Sequence, residues 1–204
     1  MKIPKGIKYL VGLDEAGRGA LAGPVAVGMF AWPVSAGGLL EAVPDYPVGR
    51  DSKKLTPKMR DKWFSLILEL TTKTGAINQV SFASQNYIDR AGIVPAVARG
   101  IEACLEKLPS QPAEYLLLLD GGLKGPREFV HQVTIIKGDE KEPLISLASI
   151  LAKVARDRKM SKLAESFPGY GLERHKGYGT AEHYKNIVKF GLSTLHRRTY
   201  CKNV

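Results

Sequence analysis

The chain has 204 residues, 44% of them hydrophobic and 25% charged, with a formal net charge of +10 at pH 7. That balance suits one globular domain with an adequate core and excludes a disordered or fibrous chain. No run is long and apolar enough to span a bilayer, the start Met1-Lys2-Ile3-Pro4-Lys5-Gly6 lacks the apolar stretch of a signal peptide, and the distant Cys104 and Cys201 give no disulfide framework, so a reduced, cytoplasmic protein is expected.

In chain order, the run Tyr9-Leu10-Val11-Gly12-Leu13 predicts a buried strand, and residues 25–32 a second one joined to it by a Gly-Arg-Gly turn. Residues 33–50, rich in Pro and Gly and without periodicity, predict a loop. Thr56-Pro57 supplies an N-cap and first-turn proline for a helix over 58–70. Residues 75–82 alternate like a third strand, and 95–108 carry a helical apolar face. The continuous apolar run 115–119 predicts a central strand covered on both sides, ending in Asp120-Gly121. A fifth strand is expected over 130–136, ending in Lys137-Gly138-Asp139. Helices follow over 143–166 and, capped by Thr180 and stopped by Gly191, over 180–190. Early strands joined directly imply antiparallel pairing, and the helix between the third and fourth implies a parallel crossover. The expected architecture is α/β: a mixed five-stranded sheet flanked by helices.

Two adjacent carboxylates, Asp14 and Glu15, at the mouth of a buried strand resist desolvation unless a cation or donors lie between them. Directly after them, Gly17-Arg18-Gly19 offers backbone N–H groups and one guanidinium, a phosphate clamp. A dinucleotide fold is the rival reading of Gly17-x-Gly19-x-x-Ala22, but a strand, not a helix, follows. Asp120 and Asp139 close two further strands. Any one Asp beside Gly is commonly a turn former. Four acidic groups at neighbouring strand ends instead suit Mg²⁺ or Mn²⁺, and two such ions roughly 3.5–4 Å apart can activate a water and stabilise a leaving oxygen.

Charge is one-sided. Residues 1–140 carry 17 Lys/Arg against 15 Asp/Glu, a net of +2, whereas residues 141–204 carry 13 against 5, a net of +8. A basic face beside an acidic centre points to a polyanion substrate. The blander readings are solvated helix faces, or a binding module without chemistry, which would gain nothing from carboxylates facing phosphates. The division expected is a sheet core over 1–140 carrying the carboxylates, and a basic helical part over 141–204 that completes the domain and contacts substrate.

These motifs together resemble the type 2 ribonuclease H family, ribonuclease HII. The residues that carry the resemblance are Gly12-Leu13-Asp14-Glu15-Ala16-Gly17-Arg18-Gly19, Gly23-Pro24-Val25, Asp51-Ser52-Lys53-Lys54-Leu55, Leu119-Asp120-Gly121, Lys137-Gly138-Asp139, the stretch from Ala148 to Asp157, His175-Lys176-Gly177-Tyr178-Gly179-Thr180 with His183, and His196-Arg197-Arg198. The resemblance implies a ribonuclease H-like fold with a C-terminal helical extension. It implies an endonuclease that cuts the RNA strand of RNA–DNA hybrids, and duplex DNA 5′ to single ribonucleotides, as a monomer. It further implies Asp14, Glu15, Asp120 and Asp139 as ligands of two divalent ions. Gly17, Arg18 and Gly19 would read the ribose 2′-OH and nearby phosphate, with bulkier residues at either glycine blocking the approach. Tyr178 would press on the sugar after the ribonucleotide. Lys53, Lys54, Lys153 and Arg156 are candidates for backbone phosphates, while Asp157 is expected to pair with a nearby Arg or Lys. Two departures, Gly122 and Gly92 where family members commonly have Asn, touch no proposed ligand. The related type 3 enzymes carry a long N-terminal domain, whereas about six residues precede the first strand here, which favours type 2.

Overall fold

A computed structural model describes residues 2–43 and 55–202; Lys53 and Lys54 lie outside the described residues. Five strands form one mixed sheet in the order β3-β2-β1-β4-β5. They are β1 (Tyr9–Ala16), β2 (Val25–Pro33), β3 (Ile77–Ala83), β4 (Tyr115–Asp120) and β5 (Gln132–Ile135). β1 to β3 pair antiparallel in sequence, and β4 lies parallel to β1 with Leu13 opposite Leu119. That register carries Asp14 and Asp120 to the same end of adjacent strands. β4 and β1 read as unbroken apolar runs because helices cover both faces of the sheet.

The helices are α1 (Leu39–Ala42), α2 (Pro57–Thr74), α3 (Gln85–Ala91), α4 (Ile93–Leu105), α5 (Gly138–Lys141), α6 (Pro143–Ser166), α7 (Leu172–His175) and α8 (Ala181–Phe190). α2 and α6 pack on one face around Phe30, Trp32, Leu116, Leu118 and Ile150; α4 packs on the other around Leu13, Met29, Ile101 and Leu117. Among the described residues no helix is long and apolar enough to cross a membrane.

α6 is the central support. Pro143 sits in its first turn and the Glu142 side chain accepts the Leu144 N–H, a polar start for a helix otherwise buried continuously from Leu144 to Ala152. It lies on β1 and β2 at glycine contacts. A Cβ at Gly12 would fall 2.2 Å from the Leu144 carbonyl, and one at Gly28 the same distance from Ala148 O. Only glycine admits backbone this close.

Two expectations shift, and one helix had none. The segment 85–91 is a separate helix, α3, capped by the Ser84 hydroxyl on the Tyr87 N–H. Residues 39–42 of the expected loop form a single helical turn. Asp139 does not end a strand. β5 stops at Ile135, and Asp139 stands in the one-turn helix α5, entered through a left-handed Lys137 (φ 55°).

Candidate active site

Strand alternation turns Asp14 toward α6, where it bonds the Ser149 hydroxyl; its Oδ1 also accepts the Glu15 N–H at 2.7 Å. Asp120 lies one strand over, and its Oδ1 accepts the Gly138 N–H at 2.6 Å, which ties the short helix bearing Asp139 to the end of β4. Glu15 Oε1 takes a 3.3 Å contact from Arg18 Nη1. Asp14 and Asp139 are both buried, at 4% and 6% exposure. So Asp14, Glu15 and Asp120 gather where β1 and β4 end side by side, and Asp139 follows Gly138, whose N–H is bonded to Asp120.

Their electrostatics follow from that burial. Desolvation holds the Asp14 carboxyl well above the usual carboxylate range, and the neighbouring charges of Glu15 and Asp120 push the same way. Burial also raises Glu15, while Arg18 pulls it back. Among the described residues no three or more His, Cys, Asp or Glu side chains are drawn in tightly enough to form a ready cation cage. Each of Asp14, Glu15 and Asp120 instead turns to its nearest donor, as like charges in a poorly solvated corner must. An all-oxygen donor set with a buried, destabilised carboxylate at its centre fits a hard divalent cation.

Beside Glu15 runs a groove of about 520 Å³ lined by Glu15, Gly17, Arg18, Gly19, Lys153 and Tyr178, and by Arg60 from α2. A second groove, of about 840 Å³, continues from Arg60, Lys153 and Tyr178 past Arg158 and Lys176. Lys153 Nζ pairs with Asp157 at 2.9 Å, as expected of Asp157, and lies 5.6 Å from the centre of the Tyr178 ring. Arg60 donates to the Leu55 carbonyl at 2.5 Å. Nothing in its helix-face pattern marked it for this groove.

Arg156 requires correction as a phosphate contact. Its guanidinium is fully buried and donates to the carbonyls of Pro24 at 2.9 Å, Lys176 at 3.0 Å and Ala22 at 3.3 Å. Its counterpart Arg197, which sequence reasoning left without a role, is equally buried. Arg197 donates to the carbonyls of Gly23 at 3.0 Å and of Arg18 and Gly17 at 2.8 Å each. Burial and the neighbouring Arg156 bring Arg197 down to about 10, still cationic at neutral pH. Two guanidinia on six backbone carbonyls thus form the floor of the Gly17-Arg18-Gly19 turn. A basic residue in a motif gave no sign of burial.

The same floor revises the glycines. Gly17 has φ 91°, and a Cβ there would sit 1.9 Å from Arg156 Nε, so its glycine is demanded from inside. A Cβ at Gly19 meets nothing within 4 Å; only Gly19 of the pair is open to an incoming molecule. Tyr178 borders the groove over Arg156, whose guanidinium carbon lies 5.2 Å from its ring centre.

Comparison with known proteins bears on family and fold. The family described as Ribonuclease HII matches residues 11–203. The ribonuclease HII of Ruminiclostridium cellulolyticum is 40% identical over 201 residues, 98% of this chain and 73% of that protein. Among solved structures, the ribonuclease H2 of Pyrococcus horikoshii superposes with a TM-score of 0.68 at 26% identity, covering 94% of this chain and 93% of that one. Bst-RNase HIII in complex with Mn²⁺ shares the fold at a TM-score of 0.62 and 15% identity, over 91% and 71% of the two chains.

Proposed function

The chain belongs to the ribonuclease HII family, and from there we propose that it hydrolyses the RNA strand of RNA–DNA hybrids and incises duplex DNA 5′ to single ribonucleotides, leaving 5′-phosphate and 3′-hydroxyl ends. The observation that supports this is the proximity of Asp14, Glu15 and Asp120 at adjoining strand ends, with the Gly138 N–H, next to Asp139 in the chain, bonded to Asp120. Two divalent cations, Mg²⁺ or Mn²⁺, held by these four residues would supply Lewis-acid activation of water and neutralise charge at the scissile phosphate.

The chain's own residues orient the substrate. Arg197 fixes the carbonyls of Gly17 and Arg18 inward, which leaves the open surface at Gly19 to test for a ribose 2′-OH. Arg18, half-exposed beside Glu15, meets the adjacent phosphate. Tyr178 presses on the sugar that follows, where a missing 2′-OH marks the RNA-to-DNA junction. Lys153 and, from the segment outside the described residues, Lys53 and Lys54 hold backbone phosphates without reading sequence. The basic stretch 141–204 supplies most of that attraction.

Mapping the products of a duplex carrying one ribonucleotide tests the reading. We expect one cut, on the 5′ side of the ribonucleotide, abolished by EDTA and restored by Mg²⁺ or Mn²⁺. Binding without a metal-dependent product would leave only a nucleic-acid-binding module.

A further inference from the structure

Three histidines behind Tyr178 form a stack that the cleavage chemistry does not use. The His175 and His183 rings lie 4.3 Å apart and nearly parallel, and His196 follows 5.2 Å beyond His183. His183 and His196 are fully buried.

Their partners leave one proton arrangement. The Tyr178 carbonyl can only accept, so His183 Nδ1, at 2.9 Å, carries a proton. The Ser193 N–H can only donate, so His196 Nδ1, also at 2.9 Å, is bare. The neutral His196 then carries its proton on Nε2 and donates it to His183 Nε2 across 3.1 Å. His175 complements the line: its Nε2 donates to the Tyr170 carbonyl at 2.8 Å and its Nδ1 accepts the Gly177 N–H at 3.2 Å. Gly177 in turn returns its carbonyl to the N–H groups of Leu21 and Ala22, just past the Gly17-Arg18-Gly19 turn.

We infer that His183 and His196 are positioning residues for Tyr178: the one-way line from the Ser193 N–H through both imidazoles to the Tyr178 carbonyl aims the Tyr178 ring, and so sets the enzyme's preference for a single embedded ribonucleotide over continuous RNA. This rests on the reading of Tyr178 as the junction sensor. The line works only with both rings neutral, since a second proton would set N–H against N–H. Burial supplies that neutrality by pushing His183 down to about 4 and lowering His196 as well. Glu182, an anion whose charge reaches His175 and His183, is ion-paired to Arg174.

The test compares turnover on a singly substituted duplex with turnover on a continuous RNA–DNA hybrid. His183→Phe keeps the stacked ring and removes both hydrogen bonds; His183→Asn restores a donor at the Nδ1 position. We expect His183→Phe to lower kcat on the singly substituted duplex about tenfold with little change in KM, to shrink the preference by the same factor, and to add nothing to Tyr178→Ala in the double variant. His183→Asn should recover most of the preference. Should His183→Phe fail to fold, His196→Gln, which retains a donor toward His183, against His196→Leu poses the same question. An unchanged preference in His183→Phe, or losses that multiply in the double variant, would overturn the inference while leaving Tyr178 as sensor intact. A Tyr178→Ala variant with unaltered preference would overturn both.

Discussion

A methyl group on Gly17 would meet the Arg156 guanidinium at 1.9 Å, on backbone at φ 91° that disfavours any L side chain. Gly17→Ala is therefore expected to cost about 2–4 kcal/mol of stability and to reduce activity with it, as chemical denaturation and a cleavage assay would register. Gly19→Ala has open space and should leave stability within about 0.5 kcal/mol while lowering cleavage about tenfold, because its methyl faces the groove and not the core. Equal effects at the two positions would contradict this division. The sequence marked both glycines alike, since motif spacing says where a turn is and not what lies beneath it. Burial is what separates them, and it comes from Arg156 and Arg197, far along the chain. Histidine protonation adds a residue-scale expectation. His183 titrates lower in the fold, about 4, than when unfolded, near 6.5. Its contribution is thus present in full above about pH 6.5 and lost as pH falls through 6.5 toward 4. The stability advantage of wild type over His183→Asn, measured in denaturant, should shrink by about 2 kcal/mol between pH 7.5 and pH 4.5.

At the scale of elements, α6 decides how precisely the carboxylates are held. Ser149, one of its buried residues, bonds Asp14, and the helix reaches the strands only because Gly12 and Gly28 have no side chains. Gly28→Ala would push an atom to 2.2 Å from Ala148 O, backbone that cannot swing aside. A loss of about 1–3 kcal/mol is expected, with cleavage falling more than stability alone accounts for, since α6 and Asp14 move together. Unimpaired cleavage in a destabilised variant would show that the helix does not set the site. α6 was legible from Pro143 to Ser166 because Leu144, Leu147, Leu151 and Val154 recur at helical spacing. α5 was not. Four residues give no periodicity, and the left-handed Lys137 that opens it is a lysine, not the glycine that would announce such a turn. Asp139 thus read as a strand end although it stands in a helical turn.

At the scale of the whole molecule, the fold places an acidic corner against a basic surface. The carboxylates come from β1, β4 and α5, while Lys153 and Tyr178, from the stretch 141–204 with its net +8, border the groove beside Glu15. The mixed pairing of the sheet was readable from the alternation of apolar runs and helices, though not its strand order; the nearness of Asp14 to Asp120 follows from the parallel register of β1 and β4. What composition could not reveal was which cations face outward. Affinity for uncleaved hybrid is expected to fall steeply with salt, the logarithmic slope growing by roughly one for each phosphate contact and shrinking by about one in Lys153→Ala. The convergence of the carboxylates is the claim on which function stands, and Mn²⁺ titration calorimetry on the intact protein measures it most directly, alongside Asp14→Asn and Asp120→Asn. Binding in wild type that weakens tenfold or more in each variant, with cleavage lost in both, is the expected result. Variants that bind Mn²⁺ and cleave as wild type does would contradict it.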